Sequence, residues 1–267
     1  ATGSTRPPIS FSLFSDMRVL VCCDSFKGTL TSEEACRTVK EALLKTHPSY
    51  NVSICPVADG GEGTVEAMCA SLGGEKKTVV CKGPLLAPVN AVYCLAGETA
   101  VMEMSAASGI TLVEPDELDP FRATTYGTGE MMRHAIENGA RRIIIGIGGS
   151  ATNDCGAGAL SALGVRFFNE SGEFIPLGAD SLDTICDIDV SALEKLLENI
   201  GIYAACDVTS PLLGKSGATM MFSRQKGAKE SDFPVLEEKL VIFISVLAEI
   251  ACIMVNYLVT PEIKWSV

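Results

Sequence analysis

Histidine is nearly missing from this chain: His47 and His134 are its only two among 267 residues. Imidazole catalysis and histidine-rich metal sites therefore have few candidates, and both residues read as structural, His47 in the helix-end turn KTHPSY and His134 within a helix. Basic residues are also scarce, 21 against 33 acids, for a formal net charge of −12. Such a chain lacks the basic face of a general nucleic-acid binder, so no nucleic-acid partner is expected and any anionic ligand must be met by local cations.

Several signatures are absent as well. There is no GxxxxGK[ST], no GxSxG elbow, no kinase-type glycine loop with a strand lysine, and no GxGxxG after the first strand. The 11 cysteines are plentiful but scattered, odd in number and never spaced CxxC. They argue for reduced thiols in a cytoplasmic protein rather than a disulfide framework or zinc site. The first sixteen residues hold no long apolar core, which argues against a signal peptide, and the fold is expected to begin at Met17.

What is present reads as an α/β protein with enough apolar sequence, 47%, for a large core. MRVLVCC (17–23) predicts a buried strand, Thr31 and Glu34 a capping box opening a helix, and NVSICPVA (51–58) a second strand. This βαβ start predicts a parallel crossover whose loops 24–30 and 59–64 share the carboxyl edge where open α/β sheets bind ligands. From about residue 75 the texture turns β-rich, through KKTVVCKGP, NAVYCLAGETAVMEMS with a hairpin at Gly97-Glu98, and the segment around Gly109. A loop over 124–130, a helix stopped near Gly139, a strand RRIIIGIG, a hairpin in GVRFFNESGEF and a buried strand IYAACDV (202–208) follow.

LVIFISVLAEIACIMVNYLV (240–259) is 20 residues long and apolar, but carries Glu249 and Asn256. One acid near a span's centre costs roughly 2.5–3.5 kcal/mol, against roughly 0.3–0.6 gained per large apolar residue. A buried helix is the preferred reading over membrane insertion, so membrane contact is not expected.

Four loops pair glycine with polar groups: DSFKG (24–28), ADGGEGT (58–64), TTYGTGE (124–130) and GGSATND (148–154). Each is either a tight packing turn or a cradle whose backbone N–H groups, at helix starts after Gly63, Gly129 and Gly149, bind phosphate or carboxylate. Thr128, Gly148, Gly149, Ser150, Thr152 and Asn153 are the binding candidates in the last two loops. Lys27, Arg122, Lys215 and Lys226 are the cations available to an anion. Asp59 and Glu62 are placed to hold Mg²⁺ with water, or else to cap the helix near Thr64. Asp154 is the first candidate to accept or orient a substrate hydroxyl proton, Asp24 the second, with Lys27 beside it and Asp207 a further binding candidate; each of these acids could equally cap a turn.

Taken in order, DSFKGTLTSEEA (24–35), ADGGEGT, EMSAASG (103–109), RATTYGTGE (122–130), IIIGIGGSATNDCGAG (143–158), ACDV (205–208) and QKGA (225–228) resemble the type 1 glycerate kinase family. The resemblance runs from Met17 to about Leu240. It implies two α/β parts, a flavodoxin-like parallel sheet domain, incomplete in this chain, and an α/β domain inserted in it. Mapped here, residues 1–16 are an extension, 17–74 the first half of the sheet domain, 75–230 the insertion and 231–267 a divergent apolar segment. It also implies transfer of the ATP γ-phosphoryl group to a hydroxyl of D-glycerate with Mg²⁺. The alternative is an inactive homologue that binds ligand or partner without transfer, and a homo-oligomer is compatible with either.

Overall fold

The computed structural model describes residues 17–26, 29–206 and 208–255, and divides between Ala58 and Asp59. In the first unit β1 (Arg18–Val21) and β2 (Asn51–Ile54) pair in parallel, joined by α1 (Ser32–Thr46), as the crossover pattern predicts. The capping box forms as read: Thr31 Oγ1 accepts from the Glu34 N–H, and the Glu34 carboxylate accepts from the Thr31 N–H. Helix α1 buries Cys36 against Val21 and Val52, and Ala35 is buried as well, whereas Val39 is exposed. Ser32 Oγ, at the start of α1, donates to the carbonyls of Cys23 and Val57 and so ties the ends of both strand segments together.

The second unit contains α2 (Thr64–Leu72), β3 (Glu75–Lys82), β4 (Pro88–Ala96), β5 (Thr99–Glu103), α3 (Ser105–Ser108), α4 (Tyr126–Glu137), β6 (Arg142–Gly146) and α5 (Ala157–Leu163). It continues with β7 (Arg166–Phe168), β8 (Asp187–Asp189), α6 (Ser191–Leu196), β9 (Gly201–Ala205), α7 (Ala218–Phe222) and α8 (Phe233–Val255). Its main sheet runs β3-β4-β5-β6-β9, antiparallel up to β5 and parallel across β5, β6 and β9. The hairpin between β4 and β5 turns at Gly97-Glu98 as expected, with Gly97 at φ +58°.

Strand alternation sorts the side chains to two helical layers. Tyr93, Met102, Ile143 and Ile145 pack with Met131, Met132 and Ala135 of α4. Cys94 and Val101 point the other way, to Val65 and Cys69 of α2. The result is a three-layer α/β unit.

Six local expectations change. Strand β1 is not buried along its length: Arg18 and Leu20 are exposed and only Val21 is buried. The segment around Gly109 is not a strand: α3 and a short 3₁₀ turn (Ile110–Leu112) flank a single bridge from Gly109 to Ser150. The 124–130 stretch is mostly helix, because Gly127 and Gly129 lie inside α4. GVRFFNESGEF gives one bridge, Phe168 to Phe174, while β7 finds its strand partner in β8. The strand β9 is an exposed edge rather than buried, with Tyr203 56% accessible. Cys69 and Cys94 form a disulfide between α2 and β4, so the all-thiol expectation fails at that pair.

The apolar tail enters α8. Leu236, Leu240 and Phe243, at helical spacing, are buried against Val165, Phe167, Leu182 and Ile188, which supports the buried-helix reading. No helix among the described residues is long and apolar enough to cross a membrane, and residues 256–259 lie outside them.

Candidate functional site

The parallel strands of the second unit end in register, with Glu103 of β5 opposite Gly146 of β6 and Gly146 opposite Ala205 of β9. This carboxyl edge is where an open α/β sheet offers its loops to a ligand. The 59–63 loop lies directly on it. A Cβ on Gly146 would stand 2.2 Å from the Gly60 carbonyl oxygen, and one on Gly60 (φ +90°) would stand 2.7 Å from the Ala205 carbonyl oxygen. Glycine is required at both positions because backbone meets backbone.

Glu103 fixes this loop from below. Its Oε1 accepts the Val65 N–H at 2.8 Å, and the Gly63 and Thr64 N–H groups also stabilise its charge. The open amides expected after Gly63 are therefore already met by a carboxylate. Burial, reinforced by the nearby Glu62, still pushes the Glu103 carboxyl above its usual value. Sequence reading missed this residue, although it opens the quoted EMSAASG stretch.

Asp59 and Glu62 sit on the same turn, Asp59 accepting from the Gly61 N–H at 2.8 Å and Glu62 exposed. Among the described residues no group of three or more histidine, cysteine or acidic side chains is arranged for a metal ion. Asp59 and Glu62 are hard oxygen donors of the kind Mg²⁺ takes alongside waters and phosphate oxygens.

The 148–154 loop leaves β6 and is pinned to the α3 region. The Ile110 N–H donates to the Gly149 carbonyl and the Ala151 N–H to the Ser108 carbonyl. Gly149 takes a positive φ of +72° and is exposed, as a cradle requires, and Gly148 and Ser150 are half-buried. Helix α5 begins only at Ala157, after Gly156, so the N-terminus expected after Gly149 lies seven residues further on.

Past Ser150 the loop dives inward and gathers most of the buried polar side chains of the described residues. Asp154 is 1% exposed. Its Oδ2 accepts from Thr124 Oγ1 and Thr125 Oγ1 and from the N–H groups of Thr125 and Gly158, and its Oδ1 from the Gly156 N–H. With five protein donors on two oxygens, Asp154 is geometrically a clamp joining the start of α4 to the start of α5. Thr128, on α4, shares a 2.7 Å hydrogen bond with Ser108. The α4 glycines serve packing: Cβ atoms on Gly127 and Gly129 would stand 1.7 Å from the Lys82 oxygen and 2.3 Å from the Ala159 oxygen.

On the other side of the loop, the 218–226 segment presents Thr219, Ser223 and Lys226, one face of a helical stretch. Ser223 Oγ donates to Asn153 Oδ1 at 3.3 Å, and Lys226 Nζ donates to the Thr152 carbonyl at 2.6 Å. Burial lowers the Lys226 ammonium to about 8, and the charge of Asp154 only partly opposes this.

Arg122 is exposed and lines a cavity of about 600 Å³ in which Asp116, Glu117, Asp119 and Asp232 are the other charged groups. That lining is a poor setting for an anion. Asp24, in the first unit, is exposed and accepts from the Ser25 N–H. Lys27 and Asp207 lie outside the described residues.

Comparison with known proteins agrees with this architecture. The glycerate kinase family pattern matches residues 19–258. Glycerate 2-kinase of Escherichia coli K12 is 44% identical over 226 residues, 84% of this chain and 59% of that protein. Glycerate kinase of Bacillus subtilis 168 is 44% identical over 224 residues, 83% of this chain and 59% of that protein. A solved Salmonella typhimurium LT2 structure described as a glycerate kinase 2 superposes with a TM-score of 0.82 at 42% identity, covering 88% of this chain and 63% of that one. The chain thus spans about three fifths of the length of these relatives. It belongs to the glycerate kinase family.

Proposed function

We propose that this chain serves ATP-dependent phosphorylation of D-glycerate to phosphoglycerate. The observation that carries the reading is the 148–154 loop: in a chain of the glycerate kinase family, it leaves the carboxyl edge of three parallel strands with exposed glycine backbone and then a buried polar cluster. Phosphoryl transfer asks little covalent chemistry of a protein, and mostly positioning and charge neutralisation.

In this reading the open Gly148–Ser150 backbone receives anionic oxygens and Lys27 is the cation that sequence offers them, while Arg122, among four acids, is not recruited. Asp59 and Glu62 are the residues that would hold Mg²⁺, which when bound neutralises phosphate charge and orients the transferred group. Asp154 organises the loop through its five donors and is not the proton acceptor in this account; Asp24 is the acid left for orienting a hydroxyl, and Asp207 remains a binding candidate from sequence. A cytoplasmic setting belongs to the same proposal, supported by the eight free cysteines among the described residues.

The test is a coupled assay of the purified, folded chain with ATP, Mg²⁺ and D-glycerate. ADP formation that requires D-glycerate supports the reading. Saturable ligand binding without ADP formation would replace it with the inactive-homologue alternative.

A further inference from the structure

Three buried side-chain polar atoms among the described residues lack a hydrogen-bond partner: Asn153 Nδ2, Thr219 Oγ1 and Glu237 Oε2. The first two belong to the cluster around the 152–154 loop. They are linked through Ser223, which donates from Oγ to Asn153 and whose N–H donates to the Thr219 carbonyl. Three residues further on, Lys226 is 8% exposed and forms no ion pair among the described residues, its ammonium meeting the neutral carbonyl of Thr152. Asp154 does not resolve this, because its two oxygens already hold five other donors.

The chemistry of this arrangement is one-sided. An amide N–H₂, a hydroxyl and an ammonium, all at least nine-tenths buried, lie on the 152–154 loop and the 218–226 segment hydrogen-bonded to it, and none of the three is hydrogen-bonded or ion-paired to an anion. Buried donors left unmatched cost stability, and a buried cation without an anion costs more. The depressed ammonium of Lys226 is the same imbalance seen in proton affinity. One small oxyanion would satisfy it. The chain of charges on a nucleotide triphosphate needs more cations than the single lysine here.

We infer that Asn153, Thr219 and Lys226 form a subsite for a single carboxylate, that of the hydroxy-acid acceptor. This rests on the proposed phosphorylation of D-glycerate and names the part of the site that reads the acid. The carboxylate takes the Asn153 N–H, the Thr219 hydroxyl and the Lys226 ammonium as its donors. It enters when the 218–226 segment, held to the loop by the Ser223–Asn153 and Lys226–Thr152 bonds, opens. A phosphate oxygen is the other source of the same chemistry, and the experiment separates the two.

Calorimetric titration of the full chain with D-glycerate, and separately with a non-hydrolysable ATP analogue plus Mg²⁺, provides the test. Thr219→Val and Asn153→Asp are the variants, the second placing a carboxylate of the protein's own beside Lys226. The expected result is at least tenfold weaker D-glycerate binding in both, with analogue binding unchanged. Where a variant folds poorly, the wild-type chain gives a second readout: by NMR, the Lys226 side-chain titration, with Asp154 the neighbouring charge, moves upward in saturating D-glycerate. D-glycerate affinity within twofold of wild type in both folded variants, or an unmoved Lys226 titration, overturns the subsite. Weakened analogue binding instead overturns the carboxylate assignment in favour of phosphate. D-glycerate binding that depends on these residues, in a chain that forms no ADP, sinks the kinase reading and leaves the subsite standing.

Discussion

Glu103 Oε1 lies 2.8 Å from the backbone nitrogen of Val65, so a side chain at the end of β5 caps a helix that precedes it by 38 residues. The glycine loop ahead of that helix is held on the sheet edge by this contact and by the backbone approaches at Gly60 and Gly146. Removing the carboxylate by Glu103→Ala should cost about 1–2 kcal/mol, the range of a lost helix cap, and lower the melting temperature by several degrees. Glu103→Gln keeps an acceptor and should lose less. Chemical denaturation of the two variants checks the order.

The same residue predicts a pH effect. Its folded carboxyl value is raised above the unfolded one, so between the two the native state binds more protons. Wild-type stability should therefore fall as pH rises from about the ordinary carboxylate value of 4.5 through the raised folded value, and that part of the profile should flatten in Glu103→Gln.

Asp154→Asn separates a clamp from a base. The substitution turns an amide N–H₂ toward buried donors that now meet an oxygen, and should cost about 3 kcal/mol or more in stability. A base without a clamping role would lose activity at near-wild-type stability, so urea unfolding of the variant distinguishes the two.

Lys226 has the opposite sign to a surface lysine. Its folded value is about 8 against 10.5 unfolded, so the unfolded chain binds more protons between those values and stability should rise with pH across that window. Below pH 8 the buried charge carries its full penalty, roughly 3 kcal/mol from that difference in proton affinity. Lys226→Met should remove the slope between pH 8 and 10.5 and match or exceed wild-type stability at pH 7, as read from denaturation midpoints at several pH values.

The parts of the fold legible in sequence are those set by neighbours along the chain. The Thr31–Glu34 capping box, the Gly97-Glu98 hairpin, and the strand entering Gly148 depend on residues a few positions apart, and each formed as read. The site was only half legible for the opposite reason. Gly127 and Gly129 read as a loop because glycine punctuates turns, yet they are small so that α4 can touch the Lys82 and Ala159 backbones. Glu103 and Asp154 acquire their roles from donors about 30 to 40 residues away, and Thr219 lies 66 positions from Asn153, distances at which no spacing rule operates. The disulfide joins Cys69 and Cys94 across a helix and a strand, a pairing that depends on how α2 lies on the sheet.

The most direct test of the account is a ³¹P NMR time course of the purified chain with ATP, Mg²⁺ and D-glycerate. The ATP γ-phosphate signal should be lost as a phosphomonoester signal belonging to phosphoglycerate grows, with neither change when D-glycerate is left out. An unchanged ATP spectrum, from protein shown by circular dichroism to be folded, would contradict it.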